Sequence, residues 1–195
     1  LHIFEERYKR MIADCLSEGT VFGIVWFDGR TLRSVGCTAR IIRVLHRYED
    51  GRLDILVLGE RRFAMEGTIE EKPYLEADVA FIEDAAEEAP DAEALEQARG
   101  LLRELEAAGG EEGGEEHDPY RLSFAIPAIE GFTHAERQRM LEITSAAERL
   151  RTCAAALGRI LERAHLTQQL KQIIGGNGHP PSGTIRSLAA TEDEP

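Results

Sequence analysis

The sequence predicts an α+β protein: a small, partly closed antiparallel barrel followed by a helical half that ends in one long helix. Three observations carry this prediction. Within the first 82 residues, short β-branched and apolar runs are punctuated by Asp28-Gly29, Asp50-Gly51 and Pro73, the pattern of hairpin-linked strands. From residue 119 onward the apolar residues recur at helical intervals, behind recognisable helix starts. Between the two, residues 83–118 hold fourteen acidic side chains against Arg99 and Arg103, so most of the net charge of −13 sits in one acidic linker. A length of 195 residues suits one full domain with appendages, and 43% hydrophobic with 30% charged residues excludes a collagen-like or wholly disordered chain.

Phe4, Tyr8, Met11, Ile12, Cys15 and Leu16 recur at helical spacing, and Gly19 stands where such a helix should stop, which predicts a helix over 5–18. The apolar run 21–27 and the β-branched stretch 35–46 read as strands. Asp50-Gly51 then turns the chain into 53–58, making a long hairpin. Leu53, Ile55 and Val57 alternate with Asp54, Leu56 and Leu58, and both sets are apolar enough to predict burial on both faces. Residues 62–69 and 75–82 continue the pattern, giving five or six strands in all.

In the linker, Leu95, Ala98, Leu101, Leu102 and Leu105 form one stripe of a helix over 91–107, and 109–117 reads as a flexible acidic loop. Asp118-Pro119 supplies a cap and a first-turn proline for a buried helix over 120–129. Thr133 with Glu136, and Ser145 with Glu148, match the capping box, so helices start near 134 and 146. The last helix carries Leu150, Cys153, Ala154, Leu157, Ile160, Leu161 and Ala164 on one face and extends to about Ile174. Residues 175–195 are too poor in apolar side chains to fold alone and read as a disordered tail. The predicted division is therefore 1–82, 83–118, 119–174 and 175–195.

Composition also narrows the function. Outside the linker, 22 acidic residues face 21 basic ones, a near-neutral body without the cation surplus that phosphate backbones require, so nucleic acid is not the expected partner. No apolar run approaches the ~18 residues that would span a bilayer, so no membrane insertion is expected. Cys15, Cys37 and Cys153 are odd in number and far apart, which excludes a disulfide framework or a CxxC half-site and suits a reducing, cytoplasmic compartment. His2, His46, His117, His134, His165 and His179 show no HxxxH or HExxH spacing, so no metal is expected. Gly176-Asn177-Gly178 is followed by Pro180-Pro181 instead of a helix, so no phosphate-bearing cofactor is expected there. The chain opens on Leu1 without a secretory pattern and is read as lacking its start.

Six motifs in order carry a resemblance: Leu1-His-Ile-Phe-Glu-Glu-Arg-Tyr8 ahead of an amphipathic helix, Phe22-Gly-Ile-Val25, Val35-Gly-Cys-Thr-Ala-Arg-Ile41, Asp50-Gly-Arg52, Gly59-Glu-Arg-Arg-Phe63 and Pro73-Tyr-Leu-Glu-Ala77. Together they resemble the N-terminal, substrate-binding domain of Lon protease. Leu122-Ser-Phe-Ala-Ile126 and the stretch 136–150 are similar to the helical half of the same domain. The resemblance implies a PUA-like pseudo-barrel followed by helices, in a freestanding bacterial LON-domain protein. It implies too that a first strand is absent ahead of Leu1, which would leave one sheet edge open.

The activity implied is binding of exposed segments of unfolded or client polypeptides, without catalysis. The protease's ATPase and Ser–Lys peptidase domains have no counterpart in this stretch: Lys9, Lys72 and Lys171 follow Tyr8, Glu71 and Leu170, not the glycine of a Walker A loop. Pro181-Ser182-Gly183 lies in the Gly/Pro tail and is not read as a nucleophile. Two alternatives stay open: an adaptor or scaffold that docks a protease or other protein partner through its C-terminal helices, and a PUA-like RNA-binding module, which the charge disfavours.

Trp26 and Phe27 end an apolar run, and Tyr74 follows Pro73; these three are the candidate peptide-binding residues, since bulky aromatics anchor bound chains. The competing reading is core for Phe27 and partial burial for Trp26. Phe4, Glu5, Arg7, Tyr8, Gly36, Gly59, Arg62 and Phe63 belong to the family-like motifs and are read as structural. Among them Glu5, Arg7 and Arg62 are expected to pair as carboxylate and guanidinium across the helix–barrel junction.

Overall fold

Residues 1–85, 92–109 and 118–175 are described by the structure, a computed structural model. In order they form β1 (His2–Ile3), α1 (Glu6–Glu18), β2 (Phe22–Phe27), β3 (Leu32–Arg47), β4 (Leu53–Ile69), β5 (Glu76–Phe81), α2 (Ala92–Gly109), α3 (Pro119–Ala125), a 3-10 turn (Ile126–Ala128), α4 (His134–Glu142) and α5 (Ala146–Gly175). Of the predicted loop 109–117 and tail 175–195, Gly109 and Gly175 end α2 and α5, and the rest lie outside the described residues. The chain divides into two units, one of Leu1–Ala89 with Thr133–Arg149, the other of Pro90–Phe132 with Leu150–Pro195. This departs from the division predicted at 82 and 118, because 133–149 returns to the sheet: Gln138 Nε2 donates to the Val35 carbonyl at 3.0 Å, and Arg33 pairs with Glu142 at 3.2 Å.

The first unit is built on an antiparallel sheet of order β1-β4-β3-β2, with β5 also on β4. One side of β4 takes β3 at residues 53–64, and the other is divided between β1 at residues 53–54 and β5 at residues 63–69. The runs 53–58 and 62–69 are therefore one strand of 17 residues. Irregularities in its ladders, at Cys37/Ala39, Ile41/Arg43 and Val44/His46 of β3 and at Met65/Gly67 of β4, bend the sheet, as bulges do. Gly51, at φ 81°, makes the turn between β3 and β4 that Asp50-Gly51 predicts.

Helix α1 ends on Gly19 in the left-handed region, and its Ile12 and Cys15 enter a core with Ile3, Phe22, Ala39, Leu53 and Ile55. The expectation that both faces of 53–58 are buried is corrected here: Leu53 and Ile55 are buried, but Leu56 and Leu58 are exposed. Among the described residues only one face of this part of the sheet has a layer over it. Phe63 is buried against two glycines, and a Cβ at Gly36 would stand 2.4 Å from the Ile24 carbonyl oxygen and 2.8 Å from Phe63 Cζ. Gly36 is thus required by close approach, whereas a Cβ at Gly59 would meet only Cys37 Sγ at 3.4 Å.

In the second unit, Ala94 and Ala98 of α2, Leu122 of α3, and Leu150, Cys153, Ala154, Leu157 and Leu161 of α5 are buried. Apart from the half-buried Ile160 and Ala164, these are the α5 residues of the predicted stripe. Asp118 caps α3 with Pro119 in its first turn, and the helix tightens to a 3-10 turn at Pro127, short of the predicted 129, because proline has no N–H to continue the ladder.

Candidate functional site: a cleft between two sheet edges

The outer edges of β2 and β5 have no strand partner among the described residues. Between them lies a cleft of about 680 Å³. Its apolar lining comes from Met11 on α1, Phe22 and Phe27 on β2, Phe63 on β4, and Val79 and Phe81 on β5. Two edges bracketing an apolar floor offer both kinds of contact that an extended chain makes, main-chain hydrogen bonds and seats for alternate side chains. The rim is polar. Tyr74 Oη donates to Asp14 Oδ2 at 2.9 Å, and Lys72 pairs with Glu76 at 2.8 Å. The Tyr74 hydroxyl first, then Arg10, holds the Asp14 carboxyl below the usual carboxylate range, while burial pushes the Tyr74 phenol up. Glu76 raises the Lys72 ammonium, and burial raises the Cys15 thiol, which keeps that lining residue protonated.

Of the three aromatic candidates, Phe27 and Tyr74 are brought together on this cleft and Trp26 is not among its lining residues. Phe27 is 59% exposed, contrary to the core reading. Tyr74 is only 7% exposed and forms wall more than free surface. Trp26 is half-buried with its ring 6.1 Å from that of His134 on α4. Sequence reasoning missed Val79 and Phe81, although their alternation along 75–82 is a strand signal that marks one face.

The structural residues of the motifs are placed as follows. Phe4 is exposed and stacked on His2, while Tyr8 reaches the cleft with Arg7 over its ring at 4.6 Å. The expected pairing of Glu5, Arg7 and Arg62 across a junction is corrected. Glu5 pairs with Arg7 two residues on, at 2.8 Å, whereas Arg62 pairs with Asp84, a residue assigned to the linker. Arg62 Nη1 also donates to the carbonyls of Leu141 at 2.9 Å and Ile143 at 2.6 Å, and Arg149 Nη1 donates to Asp84 Oδ1 at 3.0 Å and to the Ile143 carbonyl at 2.9 Å. One carboxylate thus serves two buried guanidiniums. Both guanidiniums also face carbonyls at the C-terminal end of α4, where the helix dipole is negative.

Among the described residues no cluster of three or more His, Cys, Asp or Glu side chains could hold a metal ion, and no helix is long and apolar enough to cross a membrane.

An α+β unit with a bent antiparallel sheet, one covering helix and an apolar cleft between sheet edges has the geometry of a ligand-binding domain. The family model of the ATP-dependent protease La (LON) substrate-binding domain matches residues 1–159, and the chain belongs to this family. Lon protease of Flavobacterium johnsoniae is 29% identical over 90 residues, 42% of this chain and 10% of that protease, so the chain spans a small part of that relative. Two solved structures share the fold. The Lon N-terminal domain protein from Xanthomonas campestris has a TM-score of 0.63 at 22% identity, covering 80% of this chain and 86% of its own. The N-terminal domain of Mycobacterium avium complex Lon protease has a TM-score of 0.60 at 20% identity, covering 81% and 89%.

Proposed function

We propose that this protein is a non-catalytic module that binds exposed, extended segments of client polypeptides in the cleft between β2 and β5. The observation that carries the reading is the cleft itself, in which two unpaired sheet edges flank an apolar floor, in a member of a substrate-binding family. Main-chain pairing gives affinity without demanding a sequence, and Phe27, Val79 and Phe81 select for apolar side chains. The test is fluorescence anisotropy of a labelled, permanently unfolded polypeptide, with a folded protein as control. Saturable binding to the unfolded chain alone, weakened at least fivefold by Phe27→Ala and by Val79→Asp, is expected. Absence of binding up to about 100 μM, on the order of −5.5 kcal/mol, or wild-type affinity in both variants, overturns it.

A scaffold role through the C-terminal helix is the second reading. It is favoured by Leu166 and Leu170, four residues apart on α5 and both exposed. Truncation before residue 166 abolishes partner capture on that reading and leaves binding of the unfolded chain intact on the first.

A further inference from the structure

The cleft is bounded on two sides by backbone. Strands β2 and β5, six residues each and both in the first unit, present outer edges that pair with no strand among the described residues. Exposed edges are ordinarily guarded by charges, proline or bulges, because they invite pairing with another chain. Residues 22–27 of β2 hold no charged residue and no proline, and the one irregularity in the β2 ladder falls at its C-terminal end, between Val25 and Phe27. An edge of this kind beside a cleft is a template for an added strand.

Size selects a single strand. Each residue of a strand takes about 3.3 Å along the chain, ~4.8 Å across to its neighbour and ~10 Å through the layer, or roughly 160 Å³. The cleft of about 680 Å³ therefore holds on the order of four residues of one strand, between edges of six, and has no room for a hairpin. A helix satisfies its own N–H and C=O groups and would leave both edges unpaired. A second copy related by a two-fold axis would set β2 against β2 or β5 against β5, which covers one edge and leaves the other open.

Topology then dictates how the strand bonds. Each of the pairs β2–β3, β3–β4 and β4–β5 is antiparallel, so β2 and β5 run in opposite directions. A strand laid between them is antiparallel to one edge and parallel to the other. Successive residues of a strand turn their N–H and C=O groups to opposite sides, so alternate residues of the guest bond β2 and the rest bond β5. Its side chains alternate as well. Phe22 and Phe63 in the floor are buried, whereas Phe27, Val79 and Phe81 along the edges are 59%, 36% and 44% exposed, so the cleft is apolar beneath and open to water above. One set of guest side chains meets the floor and the other meets water.

We propose that the segments this cleft selects are single strands of about four to six residues with apolar side chains at every second position, each pairing with β2 and β5 at once and closing the sheet between them. The proposal rests on the reading of the cleft as a client-binding site and specifies the class of client.

The test titrates the full chain into fluorescein-labelled peptides with a six-residue core between Gly-Ser flanks. One core alternates isoleucine and threonine, and a second has the same composition as three isoleucines followed by three threonines. Two further peptides keep the alternating core and carry N-methyl groups on the isoleucine amides or on the threonine amides. Saturable binding of the alternating peptide is expected, at least fivefold tighter than the block peptide and weakened at least tenfold by either set of N-methyl groups, since each set disables one edge. N-methyl groups placed in the flanks leave affinity unchanged. Equal binding of the alternating and block peptides, or sensitivity to only one N-methylated set, overturns the proposal. So does a dimer in sedimentation that the alternating peptide dissociates, which would assign the cleft to a second copy. Binding of the permanently unfolded polypeptide without binding of any six-residue core overturns this proposal and leaves the client-binding reading standing, whereas failure of both overturns the two together.

Discussion

Replacing Asp84 with alanine removes the carboxylate that two buried guanidiniums share. Arg149 is fully buried, Arg62 is 7% exposed and Asp84 itself is 17% exposed, so water does little to screen the cluster. In the wild type the carboxylate bonds both guanidiniums, and the carbonyls of Leu141 and Ile143 accept from them as well. Without Asp84 both buried guanidiniums lose that carboxylate. Removing one partner of a buried ion pair costs about 3–5 kcal/mol, because the charge left behind has no counter-ion. At roughly 2–4 °C per kcal/mol for a chain of this size, the unfolding midpoint falls by roughly 6–20 °C.

Trp26 is the sole tryptophan and lies in the unit that contains the cluster, so denaturant unfolding followed by its fluorescence reads that unit. Arg62→Met, which leaves the Asp84–Arg149 pair balanced, is expected to cost less, about 1–3 kcal/mol. Adding Arg62→Met to Asp84→Ala should recover part of the loss, since one of the two guanidiniums that lose this carboxylate is then removed. A loss under about 1 kcal/mol for Asp84→Ala, or additive effects in the double variant, refutes the reasoning.

Gly36→Ala is expected to destabilise the same unit by about 1–3 kcal/mol, since its Cβ would meet fixed backbone, and Gly59→Ala by less than about 0.5 kcal/mol; chemical denaturation of the pair reads the contrast. Thr133→Ala removes the hydroxyl that accepts from the Glu136 N–H at 3.2 Å in the α4 capping box and should cost about 1 kcal/mol, read as faster amide exchange in the first turn of α4. The Asp14 carboxyl has a folded-state pKa below its unfolded value, so its contribution to stability is present above the unfolded pKa, near 4, and is lost as pH falls through the folded pKa. Tyr74→Phe removes the leading cause of that shift, so the variant should lose less stability on acidification below pH 4 than the wild type, as thermal melts across that range measure.

Helix limits were legible because their signals are local. Gly19 ends α1, Thr133 and Glu136 start α4, and the 3.6-residue stripe of α5 is the face that packs. The strands were legible as runs, but their fate depends on layers that a run does not encode. Leu56 and Leu58 look as apolar as Ile55 and differ in having no covering element among the described residues. The partner of Arg62 was missed for the same reason: Asp84 is 22 residues away and sits in a stretch whose composition reads as solvated linker, while Arg149 joins from 65 residues beyond Asp84. Phe27 and Tyr74 could be singled out as aromatics beside turns. That they share a cleft, and that Trp26 does not line it, follows from which edges of the sheet are left without a neighbour.

The most direct measurement of the central claim is amide hydrogen exchange of this chain with and without a permanently unfolded polypeptide at saturating concentration. Free edge strands exchange readily because their outward N–H groups bond only to water, and a bound strand would satisfy them. Slowed exchange confined to 22–27 of β2 and 76–81 of β5 is the result this account predicts. Unchanged exchange at both edges while the polypeptide is bound, or protection restricted to 162–175 of α5, would contradict it.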